Sequence, residues 1–108
     1  MKYLITESQI DKVIFKYLDN QDFIQIEKTD RIYFVNSEGD NYGQIRYDTD
    51  DGWCAIYADL IKEISNFFSL SNIHSIDVIS KWVERTLQMK VTSIRGFQAK
   101  TGFLFENT

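Results

Sequence analysis

Proline is absent from the sequence, which excludes a rigid linker or a Pro-rich ligand segment. There is one cysteine, Cys54, so no internal disulfide can form, and a reducing compartment is expected. His74 is the sole histidine. A zinc site normally needs four ligands at recognisable spacing, and no pairing here supplies them. The five glycines are isolated, so no Gly-rich loop is available to cradle phosphates. No apolar run approaches the roughly 18 residues of a transmembrane helix. The opening Met1-Lys2-Tyr3-Leu4-Ile5 is cut short by Glu7 before it could form a signal peptide. These absences imply a soluble, cytoplasmic protein without a cofactor.

What is abundant is apolar. Hydrophobic residues make up 44% of the chain and aromatics 15%. A length of 108 residues implies one domain, 1–108, able to bury about 65% of its unfolded surface without staples. Net charge is −4 and unevenly placed: residues 1–79 carry −7 and residues 80–108 carry +3. An acidic balance disfavours general nucleic-acid binding, which needs Lys and Arg to neutralise phosphates. The C-terminal segment alone would welcome an anionic partner.

Leu60 to Leu87 organises the chain. Leu60, Ile61, Ile64, Phe67 and Phe68 form one stripe at helical spacing, with Lys62, Glu63, Ser65 and Asn66 opposite. Val78, Ile79, Trp82, Val83 and Leu87 form a second stripe, with Asp77, Lys81, Glu84 and Arg85 outside. The turn Ser69-Leu70-Ser71 joins them into an αα-hairpin. Ser71 and Ser75 are rival N-caps of the second helix. Both stripes read as core, since each fully buried large side chain stabilises by roughly 1.5–3 kcal/mol. An earlier helix opens at Thr6-Glu7-Ser8-Gln9, a capping box, with Ile5 and Ile10 placed as a hydrophobic staple. Ile10, Val13, Ile14, Tyr17 and Leu18 carry it to about Asn20.

From Asp22 the period falls to two. Phe23 to Glu27, Arg31 to Val35 and Tyr42 to Tyr47 read as strands, separated by Lys28-Thr29-Asp30 and by the turn Asn36 to Asn41. After the turn Asp48 to Gly52, Trp53 to Ile56 reads as a fourth strand, with a helix from about Ala58. Trp53, Ile56 and Tyr57 also extend the helical stripe backwards, so a helix from Asp51 and a three-stranded meander are the alternative. Lys90 to Ile94 alternates again. Phe103-Leu104-Phe105 is a further apolar run, and Ala99 to Gly102 would serve as a hairpin turn between the two. The fold class is α+β: an N-terminal helix, an antiparallel meander of three to four strands, an αα-hairpin, and a C-terminal strand or hairpin.

Three pieces, Met1-Lys2-Tyr3-Leu4-Ile5-Thr6-Glu7-Ser8-Gln9, Ile64-Ser65-Asn66-Phe67-Phe68-Ser69-Leu70 and Trp82-Val83-Glu84, touch under a fifth of the chain. On them the sequence resembles a loose group of small uncharacterised proteins of marine tailed phages and related metagenomes. They are structural signals, namely a cap, a helix stripe and a tryptophan. The resemblance implies a phage origin and a host-cell cytoplasmic location, and it carries over no site residue.

Two stretches are candidate sites. Asp48, Asp50 and Asp51, joined by Asp30 if the meander places its turn at the same end, would form an acidic rim suited to a basic protein partner. As a calcium loop the register fails: counted from Asp48, Gly52 falls at position 5 and Asp59 at 12, where an EF-hand needs Gly at 6 and Glu at 12. A solvated hairpin turn is the plain reading. Arg95, Phe97, Lys100 and Phe103 interleave basic and aromatic groups as single-stranded nucleic-acid sites do. Arg95-Gly96-Phe97 also resembles the start of an RNA-binding strand. That consensus breaks at Gln98, and a terminal hairpin whose rings complete the core is the plain reading. Cys54 reads as a small buried hydrophobe, though a Cys54–His74 dyad is open. The carboxylates lie on solvent faces and support no acid/base pair. Protein–protein binding by a non-enzyme of inhibitor or immunity type is therefore the leading expectation. Single-stranded nucleic-acid binding is the second, and a small enzyme or ligand-binding domain the third. An exposed edge strand would permit a homodimer.

Overall fold

A computed structural model describes residues 7–36, 42–97 and 103–104. The elements are α1 (Glu7–Asp19), β1 (Ile24–Glu27), β2 (Arg31–Val35), β3 (Tyr42–Gly43), β4 (Ile45–Asp48), β5 (Trp53–Tyr57), α2 (Ala58–Phe68), α3 (Asn72–Leu87), β6 (Ser93–Phe97) and β7 (Phe103–Leu104). The chain is α+β as its periodicities imply. Residues 53–57 are strand, and the helix begins at Ala58.

The main sheet runs β1-β2-β4-β5-β6. Its first four strands are the antiparallel meander. The last strand, β6, returns alongside β5 in parallel after the α2–α3 crossover, with Trp53 opposite Ser93 and Tyr57 opposite Phe97. A parallel neighbour needs such a long connection, and the αα-hairpin provides it. The C-terminal segment thus adds a strand to the main sheet. β7 pairs instead with β3, Gly43 opposite Phe103, as a separate two-stranded ribbon. The single strand read over Tyr42 to Tyr47 is broken at Gln44, whose N–H donates to Phe34 O and whose carbonyl accepts from Tyr57 N–H.

Strand alternation sorts side chains to two faces. Ile32, Phe34, Ile45, Tyr47, Cys54 and Ile56 join Ile14, Leu18, Leu60, Ile61, Ile64, Val78, Ile79, Trp82 and Val83 in the main core under the helices. Tyr33, Val35, Ala55 and Tyr57, with Ile24, Ile26 and Trp53, form a second apolar layer on the opposite face. β3 crosses this second layer closely enough that a Cβ on Gly43 would sit 3.1 Å from the Tyr33 ring.

Local chemistry explains the helix ends. The Ser71 hydroxyl accepts His74 N–H and makes Ser71 the N-cap of α3. Ser75 lies one turn inside, buried, with its hydroxyl donating to Ser71 O and sharing a 2.7 Å hydrogen bond with the Ser65 hydroxyl. α2 ends with Ser69 in the left-handed region, and Leu70 N–H returns to Ser65 O, the reach-back of a Schellman closure. Thr6 and Ile5, read as cap and staple of α1, lie outside the described residues, as do the turn at 37–41 and the hairpin turn at 99–102.

The strand read over Lys90 to Ile94 starts later, at Ser93. Residues 90–92 tie the connection down instead: Tyr47 hydroxyl donates to Lys90 O, Glu84 takes Val91 N–H, and Thr92 N–H reaches Gly52 O. Gly52 sits at φ +75°, where an added Cβ would lie 2.8 Å from Lys90 O. Gly52→Ala is expected to cost about 2 kcal/mol, read as a lower urea midpoint with unchanged far-ultraviolet circular dichroism.

Candidate functional site

α1 divides the surface of the helical layer. Ile14 and Leu18 point into the core, leaving two flanks of different chemistry. On one flank Tyr17 meets α2. Its ring is 5.1 Å from Phe67 and 5.4 Å from Phe68, and the two phenylalanine rings are 4.9 Å apart. Its hydroxyl donates to Glu63 Oε2 at 2.9 Å. Desolvation, with Glu63 adding to it, raises the Tyr17 pKa. Phe67 is 67% exposed and Val13 55% exposed. The α2 stripe read as wholly core therefore fails at Phe67, which falls at the edge of the stripe nearest α1 and stacks on Tyr17. Sequence spacing did not separate Phe67 from Phe68: Tyr17 of α1 meets both rings, and Phe68 alone of the two packs against the main core.

On the other flank α1 and α3 enclose a polar cleft of about 390 Å³, lined by Asp11, Ser71, Ile73, His74, Asp77 and Lys81. Lys81 Nζ bridges Asp77 Oδ2 at 3.0 Å and Asp11 Oδ2 at 3.7 Å. His74 Nε2 stands 4.0 Å from Asp11 Oδ1. Sequence reading missed this cleft because Asp11 and His74 are far apart in the chain and only the docking of α1 joins them. Its charged groups are spent largely on one another. Among the described residues no group of three or more His, Cys, Asp or Glu side chains could hold a metal.

The acidic rim is half assembled. The β1–β2 and β4–β5 turns do meet, with Thr49 N–H donating to Asp30 O. Asp48, however, is claimed by two guanidiniums: Arg46 holds it in a fork at 3.0 and 3.1 Å, and Arg31 stands 3.7 Å away. Asp51 Oδ1 accepts Trp53 N–H, and Asp51 O takes the Thr92 hydroxyl. Asp30, Asp50 and Asp51 are exposed. In the C-terminal set, Arg95 and Phe97 lie two apart on β6, in register with Ala55 and Tyr57. Phe103 is on β7 opposite Gly43, and Lys100 lies outside the described residues. The three described members are divided between two sheets, Arg95 and Phe97 on β6 and Phe103 on β7.

Cys54 is buried in the main core, and desolvation pushes its thiol up to about 12. His74 lies in the α1–α3 cleft, so the two do not form a dyad. The thiol is expected to resist a disulfide reagent in the native protein at neutral pH and to react stoichiometrically once urea unfolds the chain. Rapid native labelling would contradict the burial.

The fold and these surfaces define a small α+β domain with an exposed aromatic patch and an internally paired polar cleft. The chain belongs to the nucleoporin N-terminal family, described as Nup133 N terminal like, which it matches over residues 5–105. This is a structural, non-enzymatic family. The match corrects the phage resemblance: it spans nearly the whole chain, whereas the phage-like pieces cover under a fifth and consist of helix caps and stripes that any small helical protein can share. No curated protein and no solved structure matches the chain. Among the described residues no helix is long and apolar enough to cross a membrane.

Proposed function

We propose that this domain is a non-enzymatic binding piece of a larger protein assembly. The observation that carries this reading is the family match over residues 5–105. The surface adds support. Exposed Phe67, backed by Tyr17 and Phe68, has the aromatic composition of interaction hot spots, and exposed Val13 lies one turn before Tyr17 on α1. The acidic rim supports the inhibitor-like version of the reading less well, because Arg31 and Arg46 already neutralise Asp48. Single-stranded nucleic-acid binding through Arg95, Phe97, Lys100 and Phe103 has less support still, since net charge is −4 and the described members of the set belong to different sheets. A small-ligand site would have to use the α1–α3 cleft in competition with its own ion pairs.

The test is capture of partners by the full chain and by the Val13→Ser/Phe67→Ser variant, with and without nuclease. Both residues are exposed, so the variant should keep its melting temperature. We expect a nuclease-resistant protein partner whose recovery falls at least tenfold in the variant, consistent with the loss of about 2 kcal/mol at a hot-spot pair. Recovery abolished by nuclease would favour the C-terminal basic–aromatic set instead.

A further inference from the structure

We propose that the chain pairs with a second copy of itself through β1, so that the five-stranded sheet continues across a two-fold axis. β1 ends the order β1-β2-β4-β5-β6, and among the described residues no strand lies beyond it. The phase of its hydrogen bonds shows what the outer edge offers. Lys28 N–H donates to Arg31 O across the β1–β2 turn. On the same phase Ile26 bonds with Tyr33 and Ile24 with Val35. Gln25 and Glu27 alternate with these residues, so their N–H and C=O groups point away from β2. The far side of β2 agrees, since Phe34, opposite Gln25, gives its carbonyl to Gln44 N–H on the β4 side. A row of unpaired backbone groups is a template for another strand. β1 carries no proline, and its register with β2 is unbroken by a bulge, so neither device blocks an incoming strand.

The residues of this stretch match themselves. An antiparallel pair with Gln25 opposite Gln25 of the second copy bonds through the outward-facing groups, Gln25 to Gln25 and Phe23 to Glu27. It sets Ile24 against Ile26 of the second copy in the closer, non-hydrogen-bonded positions. Both isoleucines are half-buried at the margin of the second apolar layer, and the pairing continues that layer across the axis. At each end Asp22 meets Lys28 of the second copy. Asp22 is exposed and Lys28 half-buried, and neither forms an ion pair among the described residues. Other registers on the same phase are poorer. An axis at Ile26 sets Ile24 against Lys28 and Gln25 against Glu27, and an axis at Ile24 sets Ile26 against Asp22. The contact is isologous and closes at two copies. It uses no residue of the Val13–Tyr17–Phe67 patch, so either surface can fail its test without the other.

The experiment is sedimentation equilibrium of the full chain over a range of concentrations, for the native sequence, Asp22→Lys, Lys28→Asp and the double exchange. Within one chain the two residues stand at opposite ends of β1, so only a second copy can restore their pairing. The native chain should dimerise reversibly. Each single reversal should weaken the dimer about tenfold, and the double exchange should return it to within about threefold of native. Gln25→Cys should cross-link on mild oxidation, because facing α-carbons of a hydrogen-bonded pair lie about 5.5 Å apart, within disulfide reach. Glu27→Cys should not, since its two copies are offset by roughly 13 Å along the strands. Cys54 is buried in the main core and does not compete. In the native chain the amides of Gln25 and Glu27 should exchange more slowly as concentration rises, while those of Ile24 and Ile26, already bonded to β2, stay unchanged. A chain still monomeric at about 1 mM overturns the dimer and leaves the edge to a strand of another protein. A dimer kept in both single reversals but lost in Val13→Ser/Phe67→Ser overturns it in favour of the aromatic patch. A double exchange no better than the singles also overturns it. If a charge variant fails to fold, exchange at Gln25 and Glu27 that is independent of concentration in the native chain does the same.

Discussion

Trp82 holds the layers of this domain together. Its ring lies 5.2 Å from Phe34 of β2 and 5.8 Å from Phe23, which leads into β1. Its indole N–H donates to Asp19 Oδ1 at the end of α1. The same carboxylate receives Arg85 at 2.7 and 2.8 Å, and the Arg85 guanidinium stands 5.1 Å from the Phe15 ring centroid. Those hydrogen bonds, Arg85 first and Trp82 second, hold the Asp19 carboxyl below its ordinary value. One aromatic side chain thereby fixes α3 on the sheet and the end of α1 on α3. The docking of α1 in turn creates both the aromatic patch and the polar cleft. Neither surface belongs to a single element.

This dependence explains what could be read without the structure. Strand faces were legible, because Ile32 and Phe34 against Tyr33 and Val35 need only a period of two. The N-cap was open between Ser71 and Ser75 because both are serines before an apolar stripe; burial of Ser75 against Ser65 decides it. The parallel placement of β6 was not legible, since alternation does not state which neighbour a strand chooses. The segment 90–92 alternates like a strand yet spends its backbone and side-chain hydrogen bonds on the β4–β5 turn and α3. The Asp48 charge was legible, but its neutralisation was not, because Arg46 sits beside it by an i, i+2 relation on one strand face.

The candidate sites divide along the same line. Grouping by sequence proximity brought Asp48, Asp50 and Asp51 together, and the neighbouring arginines then diluted their charge. Grouping by proximity also joined Arg95 and Phe97 to Phe103, which the strand order separates. The surfaces with the clearest geometry, Val13–Tyr17–Phe67 and Asp11–His74–Lys81, combine residues more than 40 positions apart. A phenylalanine exposed beside two other rings carries an apolar cost in water that a binding partner would remove. For a member of a structural family, that is a sounder basis for association than a rim whose charges are internally met.

The most direct test is hydrogen–deuterium exchange on the chain free and within its captured assembly. The account predicts new protection over α1 and the C-terminal turns of α2, around Val13, Tyr17 and Phe67, with the 48–52 turn unchanged. Protection confined to the 48–52 turn, or to β6, with α1 and α2 unaltered, would contradict it.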